Sequence, residues 1–214
     1  MLTKLVDLFF FRACGLCGQK INERYTCGKC LNILEYYHEK VIFHPLYGWF
    51  YDKLICGFEY KSYVKNLMLQ YKFENKRYLA KSFGDLLVYK LQKYKITADI
   101  IVPVPIHKKR AIKRGYNQSL YIAKVVSELM GIPCSTEVLR KDINNQKQSL
   151  LDSKNRANNV KNVYSLISNK EIEGKTVLLI DDIYTTGMTV NECSKVLKQG
   201  GAKEIIVVTV LYGR

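Results

Sequence analysis

The segment from Val177 to Thr189 reads Val-Leu-Leu-Ile-Asp-Asp-Ile-Tyr-Thr-Thr-Gly-Met-Thr, and no other stretch constrains the fold as tightly. The apolar run over 176–180 is that of a buried strand. It delivers Asp181 and Asp182 at its C-terminal end. A tight turn of Thr185, Thr186 and Gly187 then opens a helix that carries Thr189. Ligands of open α/β sheets bind in this crevice, beyond the carboxyl ends of the strands. Backbone N–H groups of such a turn hold a phosphate, and the three threonine hydroxyls add donors. Carboxylates do not favour phosphate; Asp181 and Asp182 suit vicinal hydroxyls, as a ribose presents. The segment therefore predicts a ribose 5-phosphate ligand. The alternative is a strand end with solvated acids, followed by an ordinary capped helix.

The rest of the chain alternates in the same manner. Strands are expected over 53–60, 99–104, 204–210 and, more weakly, 136–140. Helices are expected from Ser62, which suits an N-cap, and over 77–93, 117–130 and 190–199. The polar stretch 141–159 has no apolar period and reads as a mobile loop. This order predicts an α/β fold with a mostly parallel sheet flanked by helices. The 214 residues suit one ordinary domain plus a small appendage. With 48% hydrophobic and 25% charged residues, a disordered chain is excluded. No apolar run is long enough to cross a bilayer, so no membrane insertion is expected. Residues 1–13 look like a signal peptide, but Asp7 interrupts the apolar stretch and no small-residue cleavage site follows. They read as a short amphipathic helix of a cytoplasmic protein.

In that compartment the seven cysteines are not expected to form structural disulfides. Cys14-x2-Cys17 and Cys27-x2-Cys30 each present two thiolates from a tight knuckle, and together they offer a tetrahedral sulfur site. Unligated thiols are one alternative. A redox pair is another, but it would sit at a helix start beside a βαβ unit rather than in a short polar loop. Four sulfur ligands leave zinc no open position, so the reading is structural Zn2+ rather than a catalytic metal. Cys56, Cys134 and Cys193 lie in apolar contexts and read as core residues. The expected division is a helix and zinc-binding module over 1–45, then the α/β domain over 46–214.

The net charge of +15 favours a polyanionic partner, although cationic proteins also arise without one. Lys108, Lys109, Arg110, Lys113 and Arg114 crowd beside the turn that contains Pro105 and His107. That turn follows a strand and suits a pyrophosphate. The cluster neutralises pyrophosphate, tracks a nucleic-acid backbone, or forms a solvated face. His107 contacts pyrophosphate or only caps the turn. Lys141 and Arg156 bracket the polar loop and can close over a ligand. Between Phe58 and Tyr78 rings and cations interleave, among them Tyr60, Lys61, Tyr63, Tyr71, Lys72, Phe73 and Arg77. Bases of single strands stack on exposed rings while cations follow the phosphates, though strand and helix periods must bury part of this set.

The string from Val177 to Thr189 is similar to the phosphoribosyl pyrophosphate (PRPP) motif of type I phosphoribosyltransferases. In that family the two acids contact the ribose hydroxyls and the Thr-Thr-Gly-x-Thr loop holds the 5-phosphate. Val102-Pro103-Val104-Pro105-Ile106-His107-x2-Arg110 with Arg114-Gly115-Tyr116-Asn117-Gln118 resembles the signature of the ComF competence-protein family. So does Gln148-x2-Leu151-x4-Arg156-x2-Asn159-Val160. With the cysteine module, the resemblance spans nearly the whole chain. It implies a type I phosphoribosyltransferase-like domain behind a zinc module, and PRPP or a related ribose 5-phosphate ligand with Mg2+. It also implies handling of single-stranded DNA during natural transformation, with the zinc module free to dock a DNA-uptake partner protein. No residue set identifies an acceptor pocket. Transferase activity and an inactive PRPP-binding domain both stay open, and a metabolic phosphoribosyltransferase with an unidentified acceptor is the alternative.

Overall fold

A computed structural model describes residues 13–22, 24–36, 42–43, 48–59, 62–143 and 163–213. Tyr60, Lys61, Arg156, all but the last residue of the helix expected over 1–13, and the loop expected over 141–159 from residue 144 onward lie outside these residues. In chain order come helix α1 (Gly28–Tyr36), strands β1 (Ile42–Phe43) and β2 (Lys53–Glu59), and helices α2 (Ser62–Phe73) and α3 (Leu79–Lys93). Strand β3 (Ile100–Pro103), helices α4 (Lys108–Arg114) and α5 (Gln118–Met130), and strands β4 (Leu139–Lys141) and β5 (Tyr164–Leu166) follow. Strand β6 (Thr176–Tyr184), helix α6 (Met188–Gln199) and strand β7 (Glu204–Tyr212) complete the order.

The main sheet runs β1-β2-β7-β6-β3, parallel throughout except for β1 at one edge. Its centre explains the sequence pattern. Strand β7 is buried at every position from Ile205 to Leu211, so it carries a nearly continuous apolar run, interrupted only by Thr209, rather than an alternating one. Helix α5 starts and stops where local chemistry dictates. The Asn117 side chain accepts from the Ser119 N–H at its N-terminus, and Gly131 (φ +69°) ends it in the left-handed region. Val104 N–H donates to the Ile180 carbonyl, which carries the β3–α4 turn alongside the end of β6.

Several expectations shift. Strand β6 does not stop at residue 180. It keeps pairing with β7 as far as Tyr184 opposite Tyr212, so both aspartates lie on the strand rather than beyond it. The basic cluster is a helix, α4, capped by His107 and ended by Gly115 at φ +83°. Helix α3 begins at Leu79 rather than residue 77, after a turn through Arg77 and Tyr78. Helix α1 was not expected either: the second cysteine pair stands at a helix start rather than in a short polar loop, although no βαβ unit accompanies it among the described residues. Two short strands carried no sequence period. Strand β5 exists by pairing with β4, and β1 pairs with β2, bringing part of the region before residue 46 onto the main sheet.

Candidate ligand site and metal centre

Successive residues of a strand diverge, and here the two acids find separate partners. Asp181 Oδ1 accepts from the Ser119 hydroxyl on α5 (2.9 Å) and from the Asp182 N–H (2.9 Å). Asp182 Oδ1 accepts from Lys72 Nζ on α2 at 2.8 Å. Burial, and then the Asp182 charge, push the Asp181 carboxyl up to about 7, against the opposing pull of Lys72 and Ser119.

The loop that follows is built for close approach. Gly187 has φ +75° and stands as N-cap of α6 without any side-chain cap. Asp181, Ile183, Tyr184 and residues 185–190 line a small cleft there. A Cβ on Gly187 would strike the Tyr184 hydroxyl and come within 2.7 Å of the Trp49 ring. Those two rings belong to an aromatic cluster. The Tyr51 and Tyr184 hydroxyls are 3.0 Å apart, Trp49 packs edge-on to Tyr51, and Tyr184 stacks on Tyr212. The Phe50 N–H donates to Asn191 Oδ1 (2.8 Å) and ties this segment to α6. Sequence reasoning missed the cluster; aromatic density before β2 was its only signal.

Lys141 lies on strand β4 rather than at the start of a polar loop. Its ammonium lies 5.1 Å from the centre of the Tyr164 ring, its register partner across β4 and β5. The Tyr164 hydroxyl is in turn hydrogen-bonded to the Thr189 side chain. Burial, and then the Arg110 charge, lower the Lys141 ammonium to about 8, although Asp181 is close enough to oppose the shift. Pro105 is half-buried in the turn after β3. His107 Nδ1 accepts from the Lys109 N–H at 3.2 Å, which is the capping role of its two alternatives. Lys108 and Lys109 are exposed. Arg110, Lys113 and Arg114 instead line a cavity of about 200 Å³ together with Lys72, Phe73 and Asn75.

The interleaved rings and cations divide. Phe58 and Tyr71 are core, whereas Tyr63, Phe73 and Tyr78 face solvent. The Tyr63 hydroxyl donates to the Leu16 carbonyl. Lys72 is not on an open face, because it is drawn inward to Asp182. Nor is Arg77, which lies 4.9 Å from the Tyr116 ring centre and donates to Asn75. Part of the interleaved set is thus buried, as the strand and helix periods require, and the acid pair additionally recruits the last lysine of α2.

In the cysteine module, the sulfurs of Cys14, Cys17, Cys27 and Cys30 all lie within 4.8 Å of one another. Cys17 and Cys27 are 3.6 Å apart, and a tetrahedron with metal–sulfur bonds of ~2.3 Å has edges of about 3.8 Å. Backbone N–H groups of Cys27 and Cys30 donate to the sulfurs of Cys14 and Cys27. Burial, and then hydrogen bonds to the Cys17 and Cys27 sulfurs, push the Cys30 thiol up. The donor set fits zinc. The knuckles are fastened to α3: Ser82 Oγ donates to the Tyr25 carbonyl, and the Tyr25 N–H donates to fully buried Asp85. Arg24 pairs with the same carboxylate at 3.2 Å. A Cβ on Gly15 would collide with the Ser82 hydroxyl, so the first knuckle needs glycine to dock. Cys14, Leu16 and Cys27 join the main core.

Residues 113–214 match the phosphoribosyl transferase domain family. Over 202 residues the chain is 31% identical to Competence protein F of Haemophilus influenzae, covering 91% of this chain and 87% of that protein. The chain belongs to the ComF competence-protein family. It is also 26% identical over 200 residues to DNA utilization protein YhgH of Escherichia coli, covering 91% of this chain and 81% of that one. Competence protein ComFC of Streptococcus pneumoniae is 31% identical over 149 residues, 69% of this chain and 63% of its own length. The domain match and the parallel sheet make this a type I phosphoribosyltransferase-like fold, carried behind a four-cysteine cluster. Among the described residues, no helix of this ComF-family chain is long and apolar enough to cross a membrane.

Proposed function

We propose that this chain is a competence protein that handles single-stranded DNA during natural transformation, and that its α/β domain binds PRPP. The observation that carries the ligand is the acid pair of β6 set beside an uncapped Thr-Thr-Gly turn. In this reading the backbone N–H groups and hydroxyls of Thr185, Thr186 and Thr189 hold the 5-phosphate. Asp181 and Asp182 take the ribose hydroxyls, with Ser119 and Lys72 orienting them. Arg110 and Lys141 face the pyrophosphate from the other side, where Mg2+ would neutralise its charge. Cys14, Cys17, Cys27 and Cys30 would hold a structural Zn2+. The DNA role is supported by relatives named for competence and DNA utilization, and by the net charge of +15.

Two measurements test it. PRPP with Mg2+ should raise the melting temperature, because a ligand at a hundredfold excess over its dissociation constant adds about 2.7 kcal/mol. Asp181→Asn combined with Asp182→Asn should abolish that rise. An unchanged melting temperature of the wild type at millimolar PRPP would sink the ligand reading. Single-stranded DNA should bind more tightly than a duplex of equal length, and no binding of either at low salt would remove the DNA role. Pyrophosphate release that depends on an added acceptor would mark the chain as a phosphoribosyltransferase as well.

A further inference from the structure

Beside the acid pair, the C-terminal turn of α2 and one face of α4 enclose the cavity of about 200 Å³ lined by Lys72, Phe73, Asn75, Arg110, Lys113 and Arg114. Positions 110, 113 and 114 are spaced i, i+3 and i+4, so three cations share one face of α4. They meet an aromatic wall. Phe73 is 62% exposed, and the Arg114 guanidinium stands 5.3 Å from its ring centre. Arg114 is itself oriented by Gln118 Oε1, to which it donates at 2.7 Å. A phosphate alone calls for the cations. The solvent-facing ring beside them adds a surface for a planar base, and ring plus cation is how proteins hold unpaired strands. Lys72 lines the same cavity and reaches Asp182, so a ligand here lies one side chain from the ribose acids.

We propose that this cavity is a nucleotide subsite for single-stranded nucleic acid, with one backbone phosphate between Lys113 and Arg114 and the adjoining base on Phe73. The proposal rests on the DNA-handling role above and names where the strand docks. It also places a nucleotide of the strand one side chain away from Asp182 rather than on a remote surface. A duplex binds less well, because its bases are already stacked on one another and cannot reach the ring.

The test compares wild type, Phe73→Ala, Phe73→Leu and Lys113→Ala, all at exposed positions. The probes are a fluorescein-labelled oligo(dT), a fully abasic strand of the same length read by anisotropy, and PRPP with Mg2+ read by thermal shift. Both Phe73 variants should lose about five- to 150-fold in affinity for oligo(dT) while binding the abasic strand as wild type does. Leucine keeps the apolar bulk without a stacking plane, so it separates stacking from folding. Lys113→Ala should reduce the log–log salt slope by about 0.7, as one phosphate contact is lost. All variants should keep the PRPP-induced thermal shift. Wild-type affinity for oligo(dT) in both Phe73 variants overturns the subsite and leaves the DNA role standing. Loss of the PRPP shift with DNA binding intact overturns it by assigning the cavity to pyrophosphate. A wild type that fails to bind oligo(dT) at low salt defeats the DNA role itself, and the subsite with it.

Discussion

Replacing Gly187 by alanine probes how the phosphate loop is built, because two separable costs act at that position. An L-residue held in the left-handed region costs about 1–2 kcal/mol, and Gly187 has φ +75°. The added Cβ would also strike the Tyr184 hydroxyl and come within 2.7 Å of the Trp49 ring. Overpacking of that kind costs about 1–3 kcal/mol. The expected loss is therefore about 2–5 kcal/mol, a large share of the ~5–15 kcal/mol that holds a domain folded. Gly131→Ala isolates the first cost, since Gly131 has φ +69° and nothing within 4 Å of an added Cβ. For a chain of this size, each kcal/mol moves the melting temperature by about 2–4 °C. Thermal unfolding followed by far-ultraviolet circular dichroism should thus fall by about 2–8 °C for Gly131→Ala and about 4–20 °C for Gly187→Ala. Gly187→Ala should also lose the PRPP-induced rise that Gly131→Ala keeps, as the two rings are pushed off the loop. Equal melting temperatures for the two variants would refute the close packing of Tyr184 and Trp49 on the turn.

Protein purified without added metal should contain one zinc per chain, and a chelator should lower its melting temperature, because metal affinity in such a module is folding free energy. Metal-free protein that melts like the native form would discount the cysteine site. Asp181 makes stability depend on pH. Its carboxyl titrates near 3.8 when unfolded and about 7 when folded, so the folded state holds a proton across that window that the unfolded state has released. Its contribution is full below pH ~4, declines as pH rises towards 7 and is absent above. Asp181→Asn should flatten this decline and raise the urea midpoint at pH 8 in the absence of ligand. An identical pH profile for variant and wild type would contradict the buried, charge-repelled carboxyl.

The sequence alone determined most of the longer elements and the two local motifs. Strands β6 and β7 carry apolar runs because both faces of a central parallel strand are covered, and edge strand β3 is buried along its whole length as well, which needs no knowledge of what covers them. The paired cysteines and the Thr-Thr-Gly turn are legible because each is a few consecutive residues whose spacing already sets its geometry. Where side chains meet across the sheet, only the tertiary structure decided. Lys72 reaches Asp182 from 110 residues away, and Ser119 reaches Asp181 from 62. Lys72 accordingly belongs to the acid pair and not to an open nucleic-acid face. Strand β5 has three residues and no period of its own; it forms because β4 lies opposite. Trp49 and Tyr184 close over the loop, and Phe73 meets Arg114, for the same reason. A hydrophobic period encodes which face of an element is buried, whereas the order of strands in the sheet chooses the neighbour it is buried against.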